Sequence, residues 1–316
     1  MSAPRSTAAW VDLGLLTLCW ASGFTFTAIA LEGFAPQWVV VFRQLVATLV
    51  LIPLAFAFGR IAPIPRRMWL WLIALAIMGD MAPFYVISWG QQEVESGLAS
   101  ILVTTMPLMT LALAHVFVPG ERMTSRRLAG FVIGLSGVAL IVGPEALLEV
   151  GVSDIEILSQ LAILLGAVMF AANAIIARNM PQMDVWQRAM MVNGLSCLIA
   201  FPLALSLMPL NEAPSLDALP GWWPIFGVVG TGIFASGLAT VIYFRLIDEA
   251  GPTFMSITNY LVPPVALIAG IVLLDESPSM WAFAGLVLIL AGIAVAELRR
   301  APKHATGPAP QDTDIS

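Results

Sequence analysis

Arg43 and Asp80 are charges set in places where charge is costly. Arg43 lies in "VVVFRQLVATLVL" and Asp80 in "LWLIALAIMGDMAPFYVIS", both otherwise nearly free of ionisable groups. A guanidinium offers a planar fork of donors that suits a carboxylate or phosphate. A carboxylate can hold an ammonium group or take up a proton. The two could also pair with each other, and breaking a buried pair costs about 3–5 kcal/mol. A role in holding segments together and a role in binding are both open for them. Trp20 is a third oddity, a large ring in the middle of an apolar run. Such a ring packs in a core, or walls a site where it stacks on a ligand or attracts an ammonium group.

Proline supplies further candidates. Pro107 and the pair Pro263-Pro264 sit inside long apolar runs. A helix proline donates no hydrogen bond and frees the carbonyl four residues earlier, here those of Val103, Asn259 and Tyr260. Thr104, Thr105, Asn259 and Tyr260 lie within one turn of these expected helix breaks. A simple kink, its carbonyl satisfied by a neighbour, is the alternative. Tyr85, Asn173, Ser236 and Tyr243 are weaker candidates for the same polar site, and Trp89, Gln91 and Gln92 fall near its expected outer mouth.

Other chemistry is poorly provided for. The chain has two histidines, His115 and His304, and two cysteines, Cys19 and Cys197, in separate runs. Neither spacing suggests a metal site or a disulfide framework. The single lysine is Lys303, so a Schiff base inside an apolar run is excluded. No GxxxxGKS/T pattern marks a nucleotide site. No enzyme activity, cofactor, metal or nucleic-acid partner is expected.

The elements that must position these residues follow from composition. Of 316 residues, 59% are hydrophobic and 11% charged, against about 25% charged in a soluble domain; the mean hydropathy is +0.91. Polar surface is too scarce to cover a globule in water, so a lipid bilayer is the expected partner. Apolar segments of about 20 residues span its hydrocarbon. Ten such runs are legible, near 10–30, 37–58, 68–90, 96–118, 127–143, 157–178, 186–207, 221–245, 252–274 and 279–298. Ala28-Ile29-Ala30 has the small-x-small form of a cleavage site. The run before it exceeds the 7–15 residues of a signal core, so the first span is expected to stay. The polar, proline-containing stretch 301–316 is expected to be a disordered tail.

With ten spans and a cytoplasmic N-terminus, 13 of the 14 basic residues fall on the cytoplasmic side, and the outer loops carry only acids. That is the positive-inside pattern. It predicts a multi-pass protein of a bacterial inner membrane with both termini in the cytoplasm. Arg43 is then about six residues, or roughly 9 Å, below the outer surface, and Asp80 roughly 18 Å above the inner one. Across about 30 Å of hydrocarbon their depths differ by only a few ångströms, which permits a buried ion pair.

The chain also repeats itself. Glu121 is followed by Gly130 and Gly137 at nine and sixteen residues, and Glu276 by Gly285 and Gly292 at the same spacings. Ser100-Ile101 and Pro107 correspond to Ser256-Ile257 and Pro263. Five spans per unit is an odd number, so the second copy enters the membrane inverted. Inverted repeats belong to transporters that alternate between two packings. The glycines are expected to let helices approach closely, and the glutamates to cap or hold the loop at corresponding hairpins.

The stretches "GDMAPFYVISWGQQEVESGLASILVTTMPLMTLALAHVFVPGERMTSRRLAGFVIGLSGVALIV" and "YFRLIDEAGPTFMSITNYLVPPVALIAGIVLLDESPSMWAFAGLVLILAGIAV" both resemble the EamA-type repeat of the drug/metabolite transporter superfamily. Trp20-Ala21-Ser22-Gly23 and Arg43 resemble its first two spans. Phe170 and Asn173 stand where the first half has Trp20 and Gly23, so a symmetrical site would be chemically lopsided. The resemblance implies an all-α membrane protein of ten helices, with repeats at 1–146 and 147–300. It implies a secondary carrier that exports small metabolites such as amino acids; a monomer is one expectation, and the sequence leaves the oligomeric state open. A multidrug carrier, or one for sugar or nucleotide derivatives, is the alternative. A channel or an intramembrane enzyme is less well supported.

Overall fold

The computed structural model describes residues 7–118, 120–142, 155–208, 220–250, 252–255 and 257–297. The tail expected at 301–316 lies outside them. Among the described residues every regular element is a helix, and they form ten spans.

Spans 1 to 7 are Thr7–Leu31, Pro36–Phe58, Arg66–Gly90, Ser96–Phe117, Ser125–Val142, Ile155–Asn179 and Val185–Ser206. Span 8 starts at Trp222 and continues to Ala250. Span 9 is two pieces, Pro252–Met255 and Thr258–Leu274, and span 10 is Met280–Glu297. Large apolar side chains point outward along this bundle, for example Leu70 at 76% and Leu198 at 71% exposure. In water that surface would drive aggregation; against lipid tails it costs nothing.

Spans 3 and 8 are not regular α-helices. Residues Ala76–Met81 form a π-helical turn. Pro83 has no N–H to give the Gly79 carbonyl, and the ladder slips so that Ala82 N–H bonds the Ile77 carbonyl, five residues back. Span 8 widens the same way over Thr231–Leu238, where Ala239 N–H reaches the Phe234 carbonyl. Such turns re-aim the side chains they carry. They occur in the third span of each five-span unit.

The repeat glycines meet each other. A Cβ on Gly130 would lie 2.5 Å from the Gly292 carbonyl, and one on Gly137 2.8 Å from that of Gly285. Exchanging repeat counterparts turns the first contact into the second. Spans 5 and 10 therefore pack antiparallel about the axis that relates the two inverted units. The expected packing role of these glycines is what the backbone shows.

The expected break at Pro107 is present. Span 4 stops at Val103 and resumes at Met106. In span 9 the first piece ends at Met255 and the second starts at Thr258. Pro263 and Pro264 lie inside the continuous helix Thr258–Leu274, so they do not break it. A mid-helix proline removes one bond, and neighbouring turns can carry the helix through.

Candidate functional site

Between the two units lies a cavity of about 540 Å³, within the usual range of small-molecule sites. Of the sequence candidates, Trp20, Arg43, Asp80, Thr104, Asn173, Tyr243 and Asn259 line it, with Pro107 at the span 4 break. Tyr85 does not. It lies on a separate, smaller groove with Gln37, Met81 and Leu203. Thr105 is fully buried and its hydroxyl donates to the Leu102 carbonyl at 2.7 Å. Tyr260 packs on the large apolar core instead. Being near a proline in sequence did not place these two on the cavity face.

Arg43 is 6% exposed, and its Nε donates to Ser236 Oγ at 2.9 Å. Ser236 sits in the π-helical turn of span 8. Gly232, one turn earlier, lets span 2 come close, since a Cβ there would be 2.5 Å from that of Val46 and 3.0 Å from the Arg43 carbonyl. The guanidinium carbon lies 3.6 Å from the centre of the Phe84 ring, a cation–π contact that needs no water. Among the described residues no hydrogen bond is made by its two terminal Nη groups.

Asp80 occupies the π-helical turn of span 3. The ion pair with Arg43 that their similar depths permit is not formed. Among the described residues, the ion pairs within 4.0 Å are Arg127–Glu121, Arg178–Glu121, Arg245–Asp12 and Arg245–Glu249. Similar depth fixes one coordinate, whereas a contact also needs matching helix faces. The two opposite charges thus share a cavity without touching. Next to Asp80, Gly79 leaves room for Asn173; a Cβ at 79 would be 2.6 Å from Asn173 Oδ1. That oxygen is buried and has no hydrogen-bond partner among the described residues.

Aromatic rings complete the wall. Trp20 and Tyr243 have centroids 5.9 Å apart at 44°, and Phe24, Phe84 and Phe170 also line the space. Sequence reasoning passed over Ser88, Ser100, Arg188 and Asn193, which line it too. Arg188 lies in the first turn of span 7, where its charge also counts towards the cytoplasmic bias. Gln91, expected near the mouth, lines the cavity and donates to the Phe24 carbonyl at 3.1 Å. His115 is exposed, with Nδ1 accepting from Met123 N at 3.2 Å, and lies away from the cavity.

An inverted ten-span repeat closed around a largely apolar cavity with a few polar and charged groups is a carrier architecture. The chain belongs to the EamA-like transporter family, whose pattern matches residues 10–143 and again 157–297. It is 29% identical over 301 residues to a Streptantibioticus cattleyicolor protein named "Probable terminal-alkyne amino-acid exporter", covering 93% of this chain and 94% of that one. It is 24% identical over 287 residues to the "Uncharacterized inner membrane transporter YedA" of Escherichia coli, covering 90% of this chain and 88% of that one. A solved structure titled "Crystal structure of protein" superposes with a TM-score of 0.59 at 17% identity, covering 92% of this chain and 97% of that one; this shows a shared fold.

Proposed function

We propose that this transporter exports small zwitterionic metabolites, amino acids foremost, across a bacterial inner membrane by alternating access. One observation carries the substrate class: Arg43 and Asp80 line one cavity, opposite in charge and not in contact. The free Nη groups of Arg43 suit a carboxylate, and Asp80 suits an ammonium group. The ring-lined wall with Trp20 suits an apolar side chain. A zwitterion neutralises both cavity charges as it enters, which lowers the cost of taking either from water. The name of the Streptantibioticus relative points the same way.

In this reading the units 1–146 and 147–300 rock about the contact of spans 5 and 10. The cavity then faces each side in turn. No cofactor and no chemical step are involved, and the carrier works as a monomer. Both termini are cytoplasmic, as the arginine bias predicts.

Counterflow in proteoliposomes tests the proposal. Vesicles are loaded with one unlabelled amino acid at a time, and uptake of the labelled form is followed. Saturable exchange with some amino acids, lost in Arg43→Ala and Trp20→Ala while the folded protein survives, is the expected result. No exchange with any amino acid, by protein shown to be folded, would sink the zwitterion reading and turn attention to cationic drugs and to sugar or nucleotide metabolites.

A further inference from the structure

Glu276 acts as a cap, and the helix that its side chain caps belongs to the other unit. Span 9 ends at Leu274, and the left-handed backbone of Asp275 after it (φ 54°) turns the chain sharply. This throws the Glu276 side chain across to the other unit. Its Oε1 accepts from Ser96 N at 2.7 Å and its Oε2 from Gly97 N at 3.0 Å. These are first-turn N–H groups of span 4, which have no partner within their own helix and carry the positive end of its dipole. A reciprocal bond runs from Ser277 N to Glu95 Oε1 at 3.1 Å. Glycines make room: a Cβ on Gly97 would lie 3.3 Å from Oε2, and one on Gly270 would collide with the carboxylate. The arginine-poor ends of the two units are thus clasped.

Glu121 is the repeat counterpart of Glu276, at the arginine-rich end. Its carboxylate is about a third exposed and is held by Arg178 at 3.0 Å and Arg127 at 3.4 Å. The groups equivalent to Ser96 and Gly97 are Pro252 and Thr253, opening span 9. The first half of span 4 packs on spans 9, 6 and 1, whereas Pro252–Met255 packs mainly on the end of span 8. At one end a glutamate caps a helix of the other unit; at the other, Glu121 reaches the second unit only through the exposed Arg178 and not through span 9.

We propose that Glu276 and Glu121 are exchanging clasps. As the units rock, Glu276 releases span 4, and Glu121 leaves its arginines to accept from the first turn of span 9. Each glutamate stabilises one of the two packings. The Glu121 clasp has fewer donors, because Pro252 has no N–H, so the packing seen here is the resting one. The proposal rests on alternating access but not on the identity of the substrate.

Spin-label distances test it in a Cys19→Ala, Cys197→Ala background. One pair of labels sits on Gln92→Cys and Met280→Cys at the clasped end. A second pair sits on Thr124→Cys and Glu249→Cys at the other end. All four positions are exposed. Glu276→Ala is expected to lengthen the first distance by about one helical turn, ~5 Å, and to shorten the second. Adding Glu121→Ala should return both towards wild-type values. An unchanged first distance in Glu276→Ala, or a double variant no different from the single one, would overturn the proposal. If Glu276→Ala does not fold, Glu276→Gln, which keeps one acceptor oxygen, reads the same distances. Counterflow by wild type reports on the carrier reading separately.

Discussion

Arg43 Nε and Ser236 Oγ lie 2.9 Å apart, although 193 residues separate them in the chain. The bond ties span 2 of the first unit to the widened turn of span 8 in the second. It also fixes one edge of a guanidinium whose other edge faces the cavity. The π-helical turn earns its place here, because a one-residue slip in the ladder sets where Ser236 points. Asp80, on the corresponding widened turn of span 3, is aimed in the same way.

Ser236→Ala should leave a buried, charged donor unsatisfied. The expected loss of stability is about 1–3 kcal/mol, read as a lower midpoint in a thermal-shift assay. Arg43 would gain freedom to swing, so the KM for exchange should rise by more than the maximal rate falls. A change in stability with no change in KM would mean that Ser236 anchors the helices but does not position the guanidinium.

Asp80→Asn should erase discrimination for the ammonium group. In counterflow, wild type is expected to favour an amino acid over the matching 2-hydroxy acid by about tenfold or more, as a charged hydrogen bond of 1.5–3 kcal/mol implies. In Asp80→Asn the ratio should fall towards one, because the 2-hydroxy acid no longer leaves a buried carboxylate unpaired. An unchanged ratio would remove Asp80 from the substrate site.

All ten spans were legible because each is an apolar run long enough to cross the hydrocarbon, bounded by charge, proline or glycine. The inversion was legible from counting five spans between Glu121 and Glu276. What sequence could not supply was the face on which each residue lies. Arg43 and Asp80 share a depth but not a contact, and Thr105 turns to its own backbone while Thr104 lines the cavity. The π-helical turns left almost no trace in composition. Pro83 marks the first, and span 8 shows only an excess of glycine. Asp12 was passed over because it sits near a terminus. Yet it is 3% exposed and takes Arg245 Nε at 2.7 Å, joining spans 1 and 8.

The glycine contact of spans 5 and 10 predicts a steric failure. Gly130→Ala would put a methyl 2.5 Å from the Gly292 carbonyl and 2.7 Å from Ala296 N. Both obstacles are backbone and cannot swing aside. The helices must separate, with an expected cost of about 1–3 kcal/mol, as for other overpacked interiors. Gly14→Ala is the matching control, since a Cβ there meets nothing within 4 Å. Equal midpoints for the two variants would show that spans 5 and 10 do not pack as tightly as the backbone indicates.

Glu121 predicts a pH window. The hydrogen bond from Arg178 is the main cause that holds its carboxyl below the usual range; burial opposes it, and Arg127 adds to the lowering. A carboxyl with a lowered folded-state pKa contributes stability above its unfolded value of about 4.3, and that contribution is lost as pH falls through the lowered value. The partners are partly exposed, so the effect is small. In thermal melts, wild type should therefore exceed Glu121→Gln by a small, constant margin between pH 5 and pH 8. The margin should close only in more acid buffer. Added salt should shrink it at neutral pH, because the charges face water. A margin that instead changed between pH 6 and pH 8 would point to a different titrating group at this end of the molecule.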